Sequence, residues 1–313
     1  MKKSNKPIKK HLTDFLDWID IEKGLSANSQ ENYARFLKRF FQWIEINKLD
    51  NLKPHELTPE HIFKYKTFLS RQYTQKNKKP LKRNTQNYYL IALRSLLTFF
   101  ADRDIISLPP EKIKLARQNQ IRKVNFLTLS QVEKLLEAPT VSTIMGKRDK
   151  AILEVLFSTG LRVAELVALN REQFRVEFDI KELEIGIIGK GGYPRTVFLS
   201  ERAISWLRKY LRTRKDKNKA LFIGYKGRRV ETRLTARTIE RIIKKYVVMT
   251  GLPIATSPHT LRHTFASDLL TKGVDLRIIQ EFLGHRSIST TQVYTHITRP
   301  QLKEIHRKYH GTN

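Results

Sequence analysis

Apolar residues recur at spacings of three and four along most of this 313-residue chain. That spacing is the period of an α-helix that buries one face, whereas a strand with one buried face repeats every second residue. A period of two is clear at Leu183, Ile185 and Ile187 and again at residues 196–199. We therefore expect a mainly α chain that contains one small β-hairpin.

Residues 1–105 are predicted to form a bundle of four short helices. Helical spacing runs through residues 8–19 and 33–44, and a fourth helix at about 84–102 is apolar nearly all round. The third helix starts at Thr58, because a capping hydroxyl is followed there by a proline and an acidic residue. Four such helices can enclose one apolar core.

The helical pattern lapses at residues 106–124. Pro109 and Pro110 block a helix there, and the many basic residues leave little to bury. We expect a linker at 106–124 and a second domain at 125–313. Helices of this second domain are predicted at residues 128–136, 147–158, 201–213 and 235–249.

The balance of charge limits the choice of partner. The chain has 60 Lys and Arg residues against 30 Asp and Glu residues, a formal net charge of +30. A chain can hold that much like charge when its partner is a polyanion. Residues 1–105 have 21 basic and 11 acidic residues and the rest has 39 and 19, so the excess is nearly even. An even excess is typical of a two-part clamp around a duplex, although two generally basic surfaces would also produce it.

Several classes of protein are excluded by what the sequence lacks. With 0 Cys, it has no disulfide scaffold, no Cys-based zinc site and no thiol nucleophile. Acidic residues from Asp14 to Glu22 interrupt the apolar core that a signal peptide needs, and no run approaches the ~18–20 apolar residues of a membrane span. We expect a cytoplasmic protein that binds nucleic acid and no membrane, with a basic peripheral membrane protein as the alternative.

Titratable side chains are densest in residues 259–296, which contain four of the nine His. Ser257 and Pro258 start a helix there, on which His259 and Arg262 stand three residues apart and share a face. The two side chains are therefore predicted to point to the same side of the helix.

Two further helix boundaries follow closely. A helix at 276–283 stops at Gly284, which places His285 just beyond its C-terminus. A capping box at 289–292 then places Tyr294 one turn into another short helix. Successive helix boundaries thus aim two imidazoles, a guanidinium and a phenol at one point.

A fifth candidate lies earlier in the chain. Gly160 ends one apolar helix, and Arg162 starts the next, close enough to Glu165 for the carboxylate to fix the guanidinium. Taken singly, each of these residues is more often structural than catalytic. Their combination is what indicates a site.

Five motifs together resemble the tyrosine recombinases of the phage-integrase and Xer type. They are Thr-Gly-Leu-Arg-Val-Ala-Glu-Leu at 159–166, Gly-Lys-Gly at 189–191, His-Thr-Leu-Arg-His-Thr-Phe-Ala at 259–266, Leu-Gly-His at 283–285, and Tyr294. The motifs follow the family's order at close to its spacing. The resemblance implies an N-terminal SAM-like core-binding domain at 1–105, a linker, and a catalytic domain at 125–313 with a tail helix at 300–309.

The resemblance also implies a role for each site residue. Tyr294 is the expected nucleophile, and Arg162 and Arg262 are the expected phosphate clamps, since planar guanidinium groups match the non-bridging oxygens. Lys190 is expected to protonate the leaving 5′ oxygen. The other active-site positions are expected to be His259 and His285, with Glu165 in support. Attack by tyrosine would leave a 3′-phosphotyrosyl bond, and rejoining would need no cofactor, neither ATP nor a metal.

One departure from the family pattern concerns the hairpin. The family often has another basic residue two positions after Gly-Lys-Gly, where Tyr193 and Pro194 stand in this chain. Contacts with double-stranded DNA are expected from the basic residues of a loop and of the hairpin, namely Lys76, Lys78, Lys79, Lys82, Arg83 and Arg195.

The tail suggests an assembly. An apolar stripe follows Pro300, and in the family such a tail packs on a neighbouring protomer to close a homotetramer or heterotetramer on two DNA sites. Folding back on its own domain is the alternative. The DNA site, the biological duty (chromosome dimer resolution or mobile-element integration) and the need for a second recombinase stay open.

Three other classes of function are weighed against a recombinase. A zinc hydrolase is suggested by His259 and His263 at the spacing i, i+4, but Thr260 stands where such motifs carry a catalytic Glu. A type IB topoisomerase would share the Tyr, Arg and Lys chemistry. A non-catalytic architectural DNA-binding protein would leave the set of site residues unexplained.

Overall fold

The computed structural model describes residues 1–72, 80–116, 126–174, 182–189, 192, 194–227, 230–285 and 287–292. The chain separates into two compact units, Met1–Ile121 and Arg122–Asn313. Helices dominate the described residues, and a two-stranded antiparallel sheet lies in the second unit. The predicted mainly α fold with a small β-hairpin is confirmed. None of the described helices is long and apolar enough to cross a membrane.

The first unit contains four α-helices among its described residues, as the apolar spacing predicts. They are α1 (Leu12–Ile21), α2 (Ala27–Ile46), α3 (Pro59–Thr67) and α4 (Arg83–Asp102). α1 begins later than predicted because its first turn, Ile8–His11, is a 3₁₀ helix. Thr58 caps α3 as expected, since its hydroxyl accepts a hydrogen bond from the His61 N–H at 3.3 Å. The core between these helices is rich in aromatic side chains, among them Phe15, Phe40, Trp43 and Phe100.

The chain that follows α4 packs onto the first unit, which differs from the expectation that this segment buries little. Leu108 is 8% exposed and Ile113 is 1% exposed. The Asn87 side chain exchanges two hydrogen bonds with the Ala116 backbone, at 3.0 and 3.1 Å. The prolines do block a helix, but they also start a short turn at Pro110–Lys112 that directs Ile113 into the core. Residues 117–125 lie outside the described residues.

The second unit adds seven α-helices and two strands among the residues described. They are α5 (Leu129–Glu137), α6 (Ile144–Thr159), α7 (Val163–Ala168), β1 (Leu183–Ile188), β2 (Pro194–Leu199), α8 (Glu201–Leu211), α9 (Ala236–Met249), α10 (Pro258–Thr271) and α11 (Leu276–Leu283). α6 is buried nearly all round and packs against α8, α10 and β2. It begins three residues before the predicted start because the Thr143 hydroxyl accepts from the Gly146 N–H at 3.0 Å.

The hairpin has the predicted alternation. β1 and β2 pair in antiparallel register, with Leu183 opposite Leu199 and Ile187 opposite Arg195. Ile187, Leu199 and their inward-facing neighbours are buried, and the residues between them are exposed or half-buried. Because side chains alternate along a strand, Arg195 lies on the same face as Val197 and Leu199. This register directs Arg195 towards the interior of the unit.

Candidate active site

Arg162 lies at the start of α7 and is held by Glu165. α6 ends at Gly160, whose φ of 60° is a left-handed conformation that favours glycine. The Glu165 carboxylate accepts hydrogen bonds from the Arg162 backbone N–H at 2.8 Å and from Arg162 Nη1 at 2.9 Å. Glu165 therefore orients the guanidinium, as the spacing of the two residues predicts.

Arg262 joins the ends of two other helices. It lies in the first turns of α10, and its side chain is only 2% exposed. Its Nη1 donates to the Gly160 carbonyl at 2.7 Å, and its Nη2 donates to the Leu283 carbonyl. The buried guanidinium thus ties the end of α6 to the end of α11.

His285 is placed by the way α11 ends. Gly284 adopts the left-handed conformation, with a φ of 59°, and the His285 N–H donates to the Gln280 carbonyl at 3.1 Å. Arg162 Nη2 donates to the Gly284 carbonyl at 3.1 Å. His285 Nδ1 lies 2.9 Å from Oγ1 of Thr291, a fully buried residue. The end of α11 therefore fixes the backbone of His285, and Thr291 fixes its imidazole.

The structure brings together four of the predicted site residues, namely Arg162, Glu165, Arg262 and His285. His259 stands one turn before Arg262, and its ring centroid is 4.2 Å from that of His263 at an interplanar angle of 63°. Lys190 and Tyr294 lie outside the described residues, so their placement stays a prediction.

The turn that precedes Tyr294 differs from the predicted one. Ser289 was expected to cap a helix, but it lies inside a 3₁₀ turn at Ile288–Thr290. The Thr291 N–H donates to the Ile288 carbonyl at 2.8 Å, which is the i to i+3 bond of such a turn. The tighter turn leaves Thr291 buried beside His285, a contact that no sequence signal indicates.

Arg195 was predicted to bind DNA, and the structure gives it a different environment. Its side chain is 10% exposed. Nη1 and Nη2 donate to the two Glu165 carboxylate oxygens at 3.0 and 2.8 Å, and Nε donates to the Phe282 carbonyl at 3.2 Å. Because these contacts occupy the guanidinium, Arg195 lies in the interior of the site and offers little exposed surface. The sequence signal for this placement is the spacing of two between Arg195, Val197 and Leu199, which puts all three on one face of β2.

The predicted basic loop is described only in part. Lys82 and Arg83 are exposed at the N-terminal end of α4. Lys76, Lys78 and Lys79 lie outside the described residues. The loop therefore stays a predicted DNA contact.

Comparison with known proteins identifies the family. The profile of the phage integrase family matches residues 125–300, and that of the phage integrase N-terminal SAM-like domain matches residues 12–104. The chain is 36% identical to the tyrosine recombinase XerC of Thermodesulfovibrio yellowstonii, over 96% of each protein. The chain belongs to the phage integrase family. This member is also 35% identical to the tyrosine recombinase XerD of Listeria monocytogenes serovar 1/2a, over 96% of its own length and 98% of the relative.

A solved structure shows the same fold. The XerH site-specific recombinase, bound to its difH substrate in a pre-cleavage complex, aligns with this recombinase at a TM-score of 0.72. The two chains are 23% identical, and the alignment covers 97% of each. The likeness supports the mainly helical recombinase fold with a SAM-like N-terminal domain.

The carboxylate of the recombinase site stays charged far into the acid range. Burial by itself would raise the pKa of Glu165, but hydrogen bonds from Arg195 and Arg162 outweigh burial and lower it to about 2. Glu165 is therefore an anion at neutral pH. It offsets the charge of guanidinium groups that would otherwise repel one another.

The imidazoles of the recombinase site are neutral near pH 7. Burial lowers the pKa of His285 to about 3, with further lowering by Arg262 and Arg162. Burial and the same two guanidinium groups also lower the pKa of His259 below its usual 6.5. A neutral imidazole can accept a proton or donate one hydrogen bond while it accepts another. Among the residues the structure describes, no group of three or more His, Cys, Asp or Glu side chains is arranged to hold a metal ion.

Proposed function

We propose that this chain is a site-specific recombinase that cleaves and rejoins DNA strands through a covalent 3′-phosphotyrosyl intermediate. The observation that carries the proposal is the convergence of Arg162, Arg262 and His285 at the C-terminal end of α11, with Arg162 held by Glu165, in a member of the phage integrase family. A cluster of fixed cations and neutral imidazoles is suited to a phosphodiester, whose negative charge grows in the transition state.

The two arginines would bind the non-bridging oxygens of the scissile phosphate. The Arg162 side chain is 30% exposed, so a phosphate oxygen can reach its guanidinium. Arg262 is nearly buried, and it would stabilise the bound phosphate from the protein side, through its charge and its fixed donors. Because protein contacts already hold both groups, little reorganisation is needed when charge develops.

The imidazoles would handle protons and hydrogen bonds. A tyrosine hydroxyl has a pKa near ~10, so Tyr294 needs a proton acceptor, and neutral His259 is suited to that task. When the Thr291 hydroxyl donates to Nδ1 of His285, the proton of the imidazole is on Nε2. Nε2 can then donate to a phosphate oxygen.

Cleavage and rejoining would each exchange one phosphate ester for another. Tyr294 Oη attacks phosphorus, the bond from phosphorus to O5′ breaks, and Lys190 donates a proton to the departing O5′. A 5′ hydroxyl from another strand later attacks the phosphotyrosyl ester and releases Tyr294. Since the ester conserves the free energy of the broken bond, the exchange needs neither ATP nor a metal.

The proposal extends to domains and partners. Residues 1–105 would be the core-binding domain, 106–124 the linker, and 125–313 the catalytic domain. The partner would be a double-stranded recombination site, held by a homotetramer or heterotetramer in the cytoplasm through the tail helix at 300–309. The Xer names of the relatives favour an Xer-type role. The basic loop would add phosphate contacts that set affinity and its salt dependence.

Trapping of the covalent intermediate tests the proposal. A duplex that the protein selects from a random library is prepared with a nick beside the cleavage position, so that cleavage releases a short fragment and rejoining is prevented. We expect the wild-type chain to accumulate a covalent protein–DNA adduct and Tyr294→Phe to bind the same DNA without forming one, since phenylalanine lacks the attacking oxygen.

A matched tyrosine provides the control. Tyr225 donates its hydroxyl to Tyr210, and among the described residues neither tyrosine shares a hydrogen bond or ion pair with Arg162, Glu165, Arg262 or His285. Tyr225→Phe should form the adduct like the wild type. An adduct in Tyr294→Phe equal to that of the wild type would exclude Tyr294 as the nucleophile.

A further inference from the structure

We propose that Arg195 is a positioning residue of the recombinase site, which fixes Glu165 and the end of α11 so that Arg162 and His285 face the scissile phosphate. This inference rests on the proposed function. It gives a role to the residue of the β-hairpin that the sequence assigns to DNA binding.

The first support is the sharing of one carboxylate. Both Glu165 oxygens accept from Arg195, at 3.0 and 2.8 Å, while Oε1 also accepts from Arg162 Nη1 at 2.9 Å. The Glu165 side chain is 6% exposed, so solvent does little to hold it in place. Arg195 makes the paired contact that sets the orientation of the carboxylate plane, and Arg162 is aligned on the same carboxylate.

The second support is a set of three contacts at the end of α11. The last carbonyls of a helix have no partner inside the helix and carry its negative dipole end. The three consecutive carbonyls of Phe282, Leu283 and Gly284 accept from three different arginines, which are Arg195, Arg262 and Arg162 respectively. His285 follows directly, so these guanidinium groups determine where its backbone starts.

The third support is the close packing of Arg195 on Gly284. A Cβ added at Gly284 would lie 2.8 Å from both Cδ and Nη1 of Arg195, and 3.1 Å from Cζ. No side chain larger than hydrogen fits between this backbone and the guanidinium. The end of α11 and the β-hairpin are thus fitted to each other through Arg195.

These contacts require an arginine. Three different nitrogens of one planar group reach two carboxylate oxygens and one backbone carbonyl. A lysine has a single nitrogen and cannot make the three contacts together. With its 10% exposure and its nitrogens engaged inside the protein, Arg195 is placed to act through Glu165 and α11 and not on DNA directly.

Cleavage by Arg195→Gln and Arg195→Lys tests the inference. On the nicked suicide duplex, Arg195→Gln should form the covalent adduct about 100-fold more slowly or worse, the size typical of losing a preorganised transition-state donor. Arg195→Lys should restore only a small part of that rate. The dissociation constant for DNA should stay within about threefold of wild type, because the lost effect belongs to the transition state.

A second substrate separates positioning from loss of structure. In a methylphosphonate linkage, a neutral methyl group replaces one charged non-bridging oxygen, so correct placement of Arg162 matters less. The ratio of wild-type to Arg195→Gln rate should therefore shrink by about tenfold on this substrate, as it should for Arg162→Ala. Each protein is measured on both substrates from a single preparation. Any unfolded fraction lowers both rates by the same factor, so it cancels when the two rate ratios are compared.

Arg202 offers a matched control. It also bridges carboxylates in the second unit, donating to Glu133, Glu137 and Glu154. In the part of the chain that the structure describes, none of these four residues shares a hydrogen bond or ion pair with Arg162, Glu165, Arg262 or His285. Arg202→Gln should cleave both substrates in the wild-type ratio. Wild-type rates for the Arg195 variants, or equal losses on both substrates, would overturn the positioning role while the proposed function stands. A wild-type chain that forms no adduct would overturn the proposed function and this inference with it.

Discussion

Single residues of the site owe their charge states to the residues around them. Glu165 stays ionised because Arg195 and Arg162 donate to it, and His285 stays neutral because burial and the charges of Arg262 and Arg162 oppose a further positive charge. The arginines therefore act on the site in two ways. They offer donors to an anion, and they keep the nearby imidazoles in the form that can accept a proton.

The pH dependence of cleavage should report the lowered pKa of His259. In the proposed reaction the neutral imidazole of His259 would accept the tyrosine proton, so cleavage should be lost as the pH falls through the pKa of His259, which lies below the ordinary 6.5. We expect single-turnover adduct formation, measured from about pH 5 to about pH 8, to keep more than half of its rate at pH 6.5. His259→Asn should lack this acid limb. A midpoint at or above 6.5 in the wild type would contradict the assignment.

At the scale of elements, the ends of helices build the site, and sequence patterns predict such ends well. Gly160, Gly284 and the Ser257 cap are local signals, and the contact of Arg162 with Glu165 follows from three-residue spacing at a helix start. Arg195 could not be assigned in the same way, because its contacts join β2 to residues far away in the chain. The burial of Ile113 was not predicted either, because a turn that starts at a proline, and not a helix with a periodic apolar face, directs this residue into the core.

A substitution at the end of α11 should measure how tightly these elements fit. Gly284→Ala has to hold a left-handed conformation, which costs a side chain about 1–2 kcal/mol, and its methyl group would also displace Arg195. We expect a loss in the free energy of unfolding in urea of more than about 2 kcal/mol, together with slower cleavage.

Gly251 supplies the matched comparison. Its φ is +65°, and no atom of the described residues other than its chain neighbours lies within 4 Å of a Cβ added there, so Gly251→Ala carries the backbone cost alone. The difference between the two variants then reports the contact with Arg195. Equal losses in the two would show that the guanidinium yields without cost.

At the scale of the whole molecule, the net charge of +30 has more than one use. Arg162, Arg195 and Arg262 lie inside one site and are balanced there by Glu165 and by helix-end carbonyls. The more numerous exposed cations set affinity for a polyanion and its dependence on salt. Under the proposed function, the rate of cleavage and the affinity for DNA would therefore depend on separate sets of positive charges, and variants should be able to change one without the other.

Assembly is the other property of the whole molecule, and it can be tested by removing the tail. Deletion of residues 300–313 should leave binding to a single half-site intact and remove cooperative binding to a paired site, where coupling between sites is typically about 5- to 150-fold. Gel-shift titrations on single and paired sites measure both. Replacing Leu302, Ile305 and Tyr309 by Ser keeps the tail's basic charge and should have the same effect. Cooperativity that survives the deletion would rule out exchange of the tail between protomers.

The arginine contacts at the last turn of α11 have a consequence for how this recombinase can change over evolutionary time. The bonds that would hold the guanidinium groups in place for a phosphate are the same bonds that join α6, α11 and the β-hairpin. A change that loosens one of them costs stability and rate together, so selection for either property protects both. Exposed cations that take no part in these bonds, such as Lys82 and Arg83 at the start of α4, carry no such double constraint and can be exchanged at less cost.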